Sequence, residues 1–288
     1  MAWEREEGKI QMANGLYCVL KLDDQTFHIE ERDCHVFCTL LLGRDRALLF
    51  DTCNGFGPLP PVLRKITSLP IIVVNSHGHI DHAGGNFAFD QVYLHPADWE
   101  LERTHCVEIK QRMLRGIDEG ALPTLSSTVA ESIRANRTAM KHRPEYLPLA
   151  EGQEFDLGGR VLTVIHVPGH TRGSVALYDT QNKTLLGGDA VNRHLWMFLS
   201  ESASLEEMVR SLERLNSFEI FRVISSHTPD TLRAAIIRRL QQCAAEIDPD
   251  YDAPYHTDIV PDATARIHEL GENSYDNWDY VSLVYNSK

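Results

Sequence analysis

The chain has 288 residues, 43% of them hydrophobic, and carries 41 acidic against 28 basic side chains for a formal net charge of -13. That length and apolar content suffice for one large core or two modest ones, while the acidic balance argues against non-specific binding to nucleic acid or to an anionic membrane. No apolar run approaches the roughly 20 residues of a membrane span, and the opening "MAWEREEGKI" lacks the apolar stretch of a secretory signal.

Six cysteines, at 18, 34, 38, 53, 106 and 243, form no CxxC pair. Buried or free thiols in a reducing compartment are expected, and the cytoplasm is the expected location.

Along the chain, "GLYCVLKL" (15–22), "HVFCTLLLG" (35–43) and "RALLFDT" (46–52) read as strands, rich in large or branched apolar residues and bounded by Gly, Asp or charge. Pro60 opens a helix. "LPIIVVNSHGH" (69–79) is a buried strand running straight into a histidine cluster, and "QVYLHP" (91–96) is a strand closed by Pro96. Residues 97–142 change character. Their apolar spacing is helical, and about 45 residues are few for a separate core, so a helical insertion or cap within a single 1–288 domain is expected. Strands return at 159–170, 174–180 and 183–191. A helix over 204–218 follows, with Ser204 as N-cap and Glu207 three residues on. A strand over 221–227 and an amphipathic helix over 230–247 complete the readable part. The 248–288 tail is polar, acidic and aromatic, with no assignable order. Interleaved strands and helices in two β-rich halves predict stacked sheets with helices outside.

"NSHGHIDHAGG" (75–85) concentrates His77, His79, Asp81 and His82. Neutral imidazoles and carboxylates are ligands for zinc and similar metals. In extended chain, residues two apart face the same way, so His77 and His79 can reach one ion. Asp81 and His82 follow where the strand yields to a Gly-rich turn and can point to a second position. Gly78, Gly84 and Gly85 let the backbone pass close by. Three further candidates each follow a predicted strand: His170 in "VPGHTRGS", Asp189 in "LLGGDAV" and His227 in "VISSHTP". Functional groups gathered on loops at strand ends fit a site carried by a sheet scaffold.

"HGHIDH", "GHTRGS", "GGDA", "SSH" and the upstream "LLFDT", in this order over residues 46–228, resemble the metallo-β-lactamase superfamily. The resemblance implies an α/β fold, a four-layer αββα sandwich of two mixed sheets packed face to face with helices outside. It implies one metal on His77, His79 and His170, a second on Asp81, His82 and His227, and Asp189 bridging the two. Asp51 matches the position that supports the ligands from behind, where a carboxylate on the far N–H of a metal-bound imidazole fixes the ring and raises its basicity. The implied cofactors are two divalent ions, zinc foremost, with iron or manganese as alternatives.

Two dications outweigh the charge of Asp81, Asp189 and a bridging hydroxide, giving a positive pocket floor inside an acidic protein. The expected reaction is hydrolysis of a small ester, thioester, lactone or related carbonyl substrate. Asp81 is the expected catalytic residue, orienting hydroxide and later carrying a proton. "HTRGS" and Asp189 look like the glyoxalase II, lactonase and general hydrolase branches; the antibiotic-degrading enzymes commonly place Cys where Asp189 stands. The basic motif that glyoxalase II uses for glutathione is not seen, since Arg266 and Lys288 are the only cations after residue 248. Rival readings are an iron-dependent oxidoreductase, of persulfide dioxygenase or di-iron type, and a weakly catalytic ligand-binding sensor.

"NRHLWMFLS" (192–200) packs in the core or walls the substrate pocket, with His194, Trp196 and Phe198 as the wall candidates. The remaining histidines, His28 and His105 among them, are read as structural or solvated. Tyr275, Trp278 and Tyr280 are read as packing, with a pocket cap or homodimer contact as alternatives.

Overall fold

The computed structural model describes residues 9–11, 15–119, 126–273 and 277–286. The chain divides into two compact units, one of Met1–Leu149, Gln153–Leu162 and His227–Pro229, the other of Ala150–Gly152, Thr163–Ser226 and Asp230–Lys288.

The first unit is built on an eight-stranded sheet whose strands lie in chain order: β1 (Lys9–Gln11), β2 (Tyr17–Asp23), β3 (Thr26–Glu31), β4 (Val36–Leu42), β5 (Ala47–Phe50), β6 (Ile71–Val74), β7 (Gln91–Leu94) and β8 (Glu145–Pro148). From β1 to β5 every pairing is antiparallel. From β5 to β8 every pairing is parallel. The change of sense follows from the connections: a parallel return needs a crossover of a dozen or more residues, and the helix α1 (Pro60–Ile66), with Pro in its first turn, supplies the first of these. Buried runs such as "ALLF" and the end of "IIVV" form the middle of this sheet. Leu40 and Leu49 pack with Leu59, Val62 and Leu63 of the α1 region.

After Phe50 and Val74, which pair in the parallel register, the chain leaves the sheet side by side at Asp51 and Asn75. The carboxyl ends of adjacent parallel strands are where α/β proteins place their ligands. Here the connection after β6 forms the short helix α2 (Ile80–Ala83).

The 97–142 segment is helical where described: α3 (Trp99–Arg103), a wider π-turn over Thr104–Ile109, α4 (Lys110–Asp118) and α5 (Ser127–Asn136). Ile117, Val129 and Ile133 bury against the first unit's core. A short strand, β9 (Glu154–Asp156), also belongs to this unit.

In the second unit, β10 (Val161–His166), β11 (Val175–Asp179), β12 (Thr184–Gly188), β14 (Arg222–Ser225) and β15 (Leu232–Arg233) line up in the order β15-β14-β12-β11-β10. β12 pairs antiparallel with β11 and parallel with β14. The helices α6 (Leu205–Leu215) and α7 (Ala235–Ala245) bury Met208, Leu212, Ile237 and Leu240 in one core with Leu185, Val191 and Val223. The Ser204 hydroxyl accepts from the Glu207 amide while the Glu207 carboxylate accepts from the Ser204 amide, closing the capping box expected there.

A further sheet of this unit has the order β13-β18-β17-β16, from β13 (His194–Met197), β16 (Ala253–Tyr255), β17 (Ala265–Leu270) and β18 (Val281–Asn286). The described part of the tail therefore contributes three strands to this sheet. β18 pairs parallel with β13 and antiparallel with β17, burying Val281, Leu283 and Val284. Trp278 is half exposed with the Arg193 guanidinium 5.5 Å over its ring, and the Tyr280 hydroxyl donates to Glu269. Tyr275 lies outside the described residues. No helix among the described residues is long and apolar enough to cross a membrane.

Candidate metal centre

In the first unit, His77, His79, Asp81, His82 and His227 come together at the carboxyl end of β6. His77 Nε2 is 3.0 Å from His79 Nδ1, and the His77 and His82 rings lie 4.1 Å apart. Asp81 Oδ2 sits 3.5 Å from His82 Nε2 and 3.6 Å from His227 Nε2. His77 and His82 are buried, whereas Asp81 and His227 keep about a third of their side chains open to solvent.

These rings are oriented from behind by one carboxylate. Asp51 follows β5 with a left-handed backbone, φ +69°, a conformation that Asp tolerates better than most residues. Its Oδ1 accepts from the Ser76 amide at 2.7 Å. Its Oδ2 accepts from the Ser76 hydroxyl and from His82 Nδ1, each at 2.9 Å. Because the Ser76 proton is committed to Asp51, the Ser76 oxygen accepts from His77 Nδ1 at 2.9 Å. Both rings thus carry their proton on Nδ1 and present an Nε2 lone pair forward, the tautomer that binds a metal through Nε2.

The loop holding these ligands is fixed by its backbone. The Thr52 amide and the Asn75 side chain both donate to the His82 carbonyl, at 2.7 and 3.0 Å. The buried Lys110 ammonium donates to the Gly84 carbonyl; burial pushes its pKa down. A Cβ at Gly84 would run into the Asn54 backbone carbonyl, so this close approach requires glycine. The Gly78 amide donates to the buried Asp98 carboxylate at 3.0 Å.

Sequence reading missed two residues here. Ser76 relays Asp51 to His77. His105, on the π-turn, stacks on His79 with ring centroids 5.0 Å apart and planes 18° from parallel. Serine beside histidine carries no distinguishing signal, and a π-turn has none in the sequence, although such turns gather at functional sites.

In the second unit, His170 and Asp189 face each other, His170 Nε2 lying 3.7 Å from Asp189 Oδ2. His170 Nδ1 donates to the Trp196 carbonyl at 2.8 Å, which leaves Nε2 as the nitrogen that faces the carboxylate. That approach is favourable when a proton or a metal ion lies between the two groups. Asp189 is set by Gly187 and Gly188; Gly188 has φ +51°, and a Cβ on Gly187 would meet Val191 at 2.8 Å. Beside His170, the Trp196, Phe198 and Tyr255 rings stand 5.1 to 6.1 Å apart, with Phe198 buried. His194 binds the Ser282 hydroxyl at 2.6 Å and the Tyr255 hydroxyl at 3.2 Å.

In each unit the donors are imidazole nitrogens and carboxylate oxygens, and the rings of His77, His82 and His170 are held from behind through Nδ1. That set fits zinc or a similar borderline divalent ion.

The sequence pattern of the metallo-beta-lactamase superfamily matches residues 32–227. The chain belongs to this superfamily. It is 32% identical over 192 residues to the acyl-coenzyme A thioesterase MBLAC2 of Gallus gallus, covering 61% of this chain and 65% of that protein. It is 29% identical over 182 residues to a hydroxyacylglutathione hydrolase of Synechococcus sp. (strain JA-2-3B'a(2-13)), covering 61% of this chain and 58% of that one. These matches span less than two thirds of either relative's length. Among solved structures, a metallo-beta-lactamase from Pontibacter korlensis superposes with TM-score 0.57 at 19% identity, covering 80% of this chain and all of that one. The metallo-β-lactamase fold expected from the sequence motifs is therefore the fold of this chain.

Proposed function

We propose that this protein is a divalent-metal-dependent hydrolase of acyl thioesters. The observation that carries the reading is the convergence of His82 Nε2, His227 Nε2 and Asp81 Oδ2, with His82 locked from behind by Asp51. We further propose that His170 and Asp189 complete the set: His77, His79 and His170 would hold one ion, Asp81, His82 and His227 would hold a second, and Asp189 would add its carboxylate. Membership of the superfamily and the order of these residues in the chain support this assignment. Zinc is the proposed metal, on the imidazole-rich donor set.

When bound, such ions lower the pKa of water toward neutrality and polarise a carbonyl oxygen. The protein's own part is orientation and proton handling. Asp81, partly open to solvent, orients the attacking water and takes its proton on a carboxylate oxygen. Asp51 and Ser76 keep the His77 and His82 rings from turning. The thioester class is supported by the named activities of the two relatives, one acting on acyl-coenzyme A and the other on hydroxyacylglutathione. His194, Trp196 and Phe198 are proposed to wall the acyl chain, supported by their position beside His170. All six cysteines are free thiols, which supports a reducing compartment, and we place the protein in the cytoplasm.

The test is metal analysis of protein purified without added metal, followed by turnover on acyl-coenzyme A, S-acylglutathione and p-nitrophenyl esters. Two zinc equivalents with preferred thioester cleavage are expected. Asp81→Asn should lower kcat by about 10² to 10⁴ with an unchanged circular dichroism spectrum. Iron with oxygen consumption and no hydrolysis, or an Asp81→Asn variant as fast as wild type, overturns the reading.

A further inference from the structure

His227 is reached by the chain long after the other ligands of the first unit, and its side chain is part-exposed. One residue beyond it, the Thr228 carbonyl accepts from His28 Nε2 at 3.1 Å. His28 lies 200 residues earlier, on β3. Its ring is fully buried, stacks on Phe37 with centroids 4.4 Å apart and planes 9° from parallel, and meets the Thr39 hydroxyl through Nδ1 at 3.0 Å. Since Thr228 offers only a carbonyl there, Nε2 carries the proton and Nδ1 accepts from Thr39. Every edge of the ring is assigned, so it has one orientation. Pro229 adds to the constraint by confining Thr228 to extended backbone.

We propose that His28 is a positioning residue for the metal centre, a strap that ties His227–Pro229 to β3 and so holds the His227 imidazole at Asp81. The inference rests on the metal-centre reading above. His28 makes no contact with substrate in this role; it acts through the Thr228 carbonyl. Burial drives the ring's pKa down, with the Thr228 hydrogen bond opposing, so the ring stays neutral and keeps its single Nε2 proton for that carbonyl.

Two substitutions separate the strap from general packing. In His28→Gln the side-chain amide nitrogen reaches about as far as Nε2 and can still donate to Thr228. In His28→Asn it reaches only as far as Nδ1 and cannot. Both remove the stack on Phe37 equally. The first readout is hydrogen–deuterium exchange of the peptide covering 226–229 in metal-free protein. The second is zinc affinity by competition with a chromophoric chelator.

The Asn variant is expected to exchange faster in this peptide and to bind its weaker zinc about 5-fold less tightly, the loss of one ordinary hydrogen bond. The Gln variant is expected to return both readouts toward wild type. Should His28→Asn fail to fold, Thr39→Val keeps the ring but removes its Nδ1 partner and should move both readouts the same way. Equal behaviour of Gln and Asn, or an Asn variant with wild-type exchange and affinity, overturns the proposal while the metal reading stands. A wild-type protein that takes up no zinc overturns both.

Discussion

Asp51 concentrates several demands in one side chain. Its backbone is left-handed, its two oxygens take three hydrogen bonds, and two ligand rings depend on them. Asn accepts left-handed backbone as readily as Asp, so Asp51→Asn keeps the backbone while it removes the charge and turns one of the two acceptor oxygens into a donor. The variant should fold normally but bind zinc about 10- to 100-fold more weakly, since outer partners of ligating histidines carry that much affinity. A chelator competition checks it, and wild-type affinity would show that neither the carboxylate's charge nor its second acceptor oxygen matters to the ligands. At this scale, legibility in the sequence tracks locality. His77, His79, Asp81 and His82 could be read together because six positions contain them. Ser76, His105 and His28 could not be, because each acts through a partner chosen by folding: Asp51 across 25 residues, His79 across a π-turn, Thr228 across 200.

Among the elements, the strongest local signals survived folding with small shifts of boundary. The Ser204–Glu207 pair does form a capping box at the start of α6, whose buried face carries Met208, Leu212 and Leu215. Ser204→Ala should therefore cost about 1 kcal/mol, read as a lower urea midpoint with an unchanged slope. An unchanged midpoint would mean that burial of that face alone decides the helix. The helix expected over 230–247 begins only at Ala235, because Leu232 and Arg233 pair with β14. β3 escaped sequence reading for a physical reason. "TFHIEE" looks like a surface strand, yet Thr26, His28 and Glu31 are buried in it alongside Ile29. Glu31 is satisfied there by the Asn54 and Phe56 amides, both at 2.9 Å, contacts that hydrophobic periodicity cannot announce. The tail was unreadable for a related reason: β16 and β17 are largely polar or exposed, and only β18 carries the continuous buried run that pairs with both its neighbours.

For the whole molecule, these buried polar groups give stability a pH dependence whose sign can be worked out. His28 falls from its ordinary 6.5 to about 4 in the folded protein, chiefly through burial. Between those values the unfolded chain binds the proton and the native protein does not, so stability rises with pH across the window. The contribution is fully present above 6.5 and is lost as pH falls through 4. Integrated over the interval it is on the order of 3 kcal/mol. Glu31 runs the other way. Burial lifts its carboxyl above the ordinary value, so its contribution declines as pH rises from 4.5. The two therefore oppose each other in the wild-type curve, and only a difference measurement separates them. Urea unfolding of metal-free wild type and His28→Gln at pH 7.5 and pH 4 supplies it, because Glu31 and the surface charges are common to both proteins. The stability advantage of wild type over His28→Gln should be largest at pH 7.5 and shrink by roughly that 3 kcal/mol at pH 4. An advantage that stays constant across this range would mean that the native His28 ring takes up its proton as readily as in the unfolded chain, against the burial that pushes its pKa down.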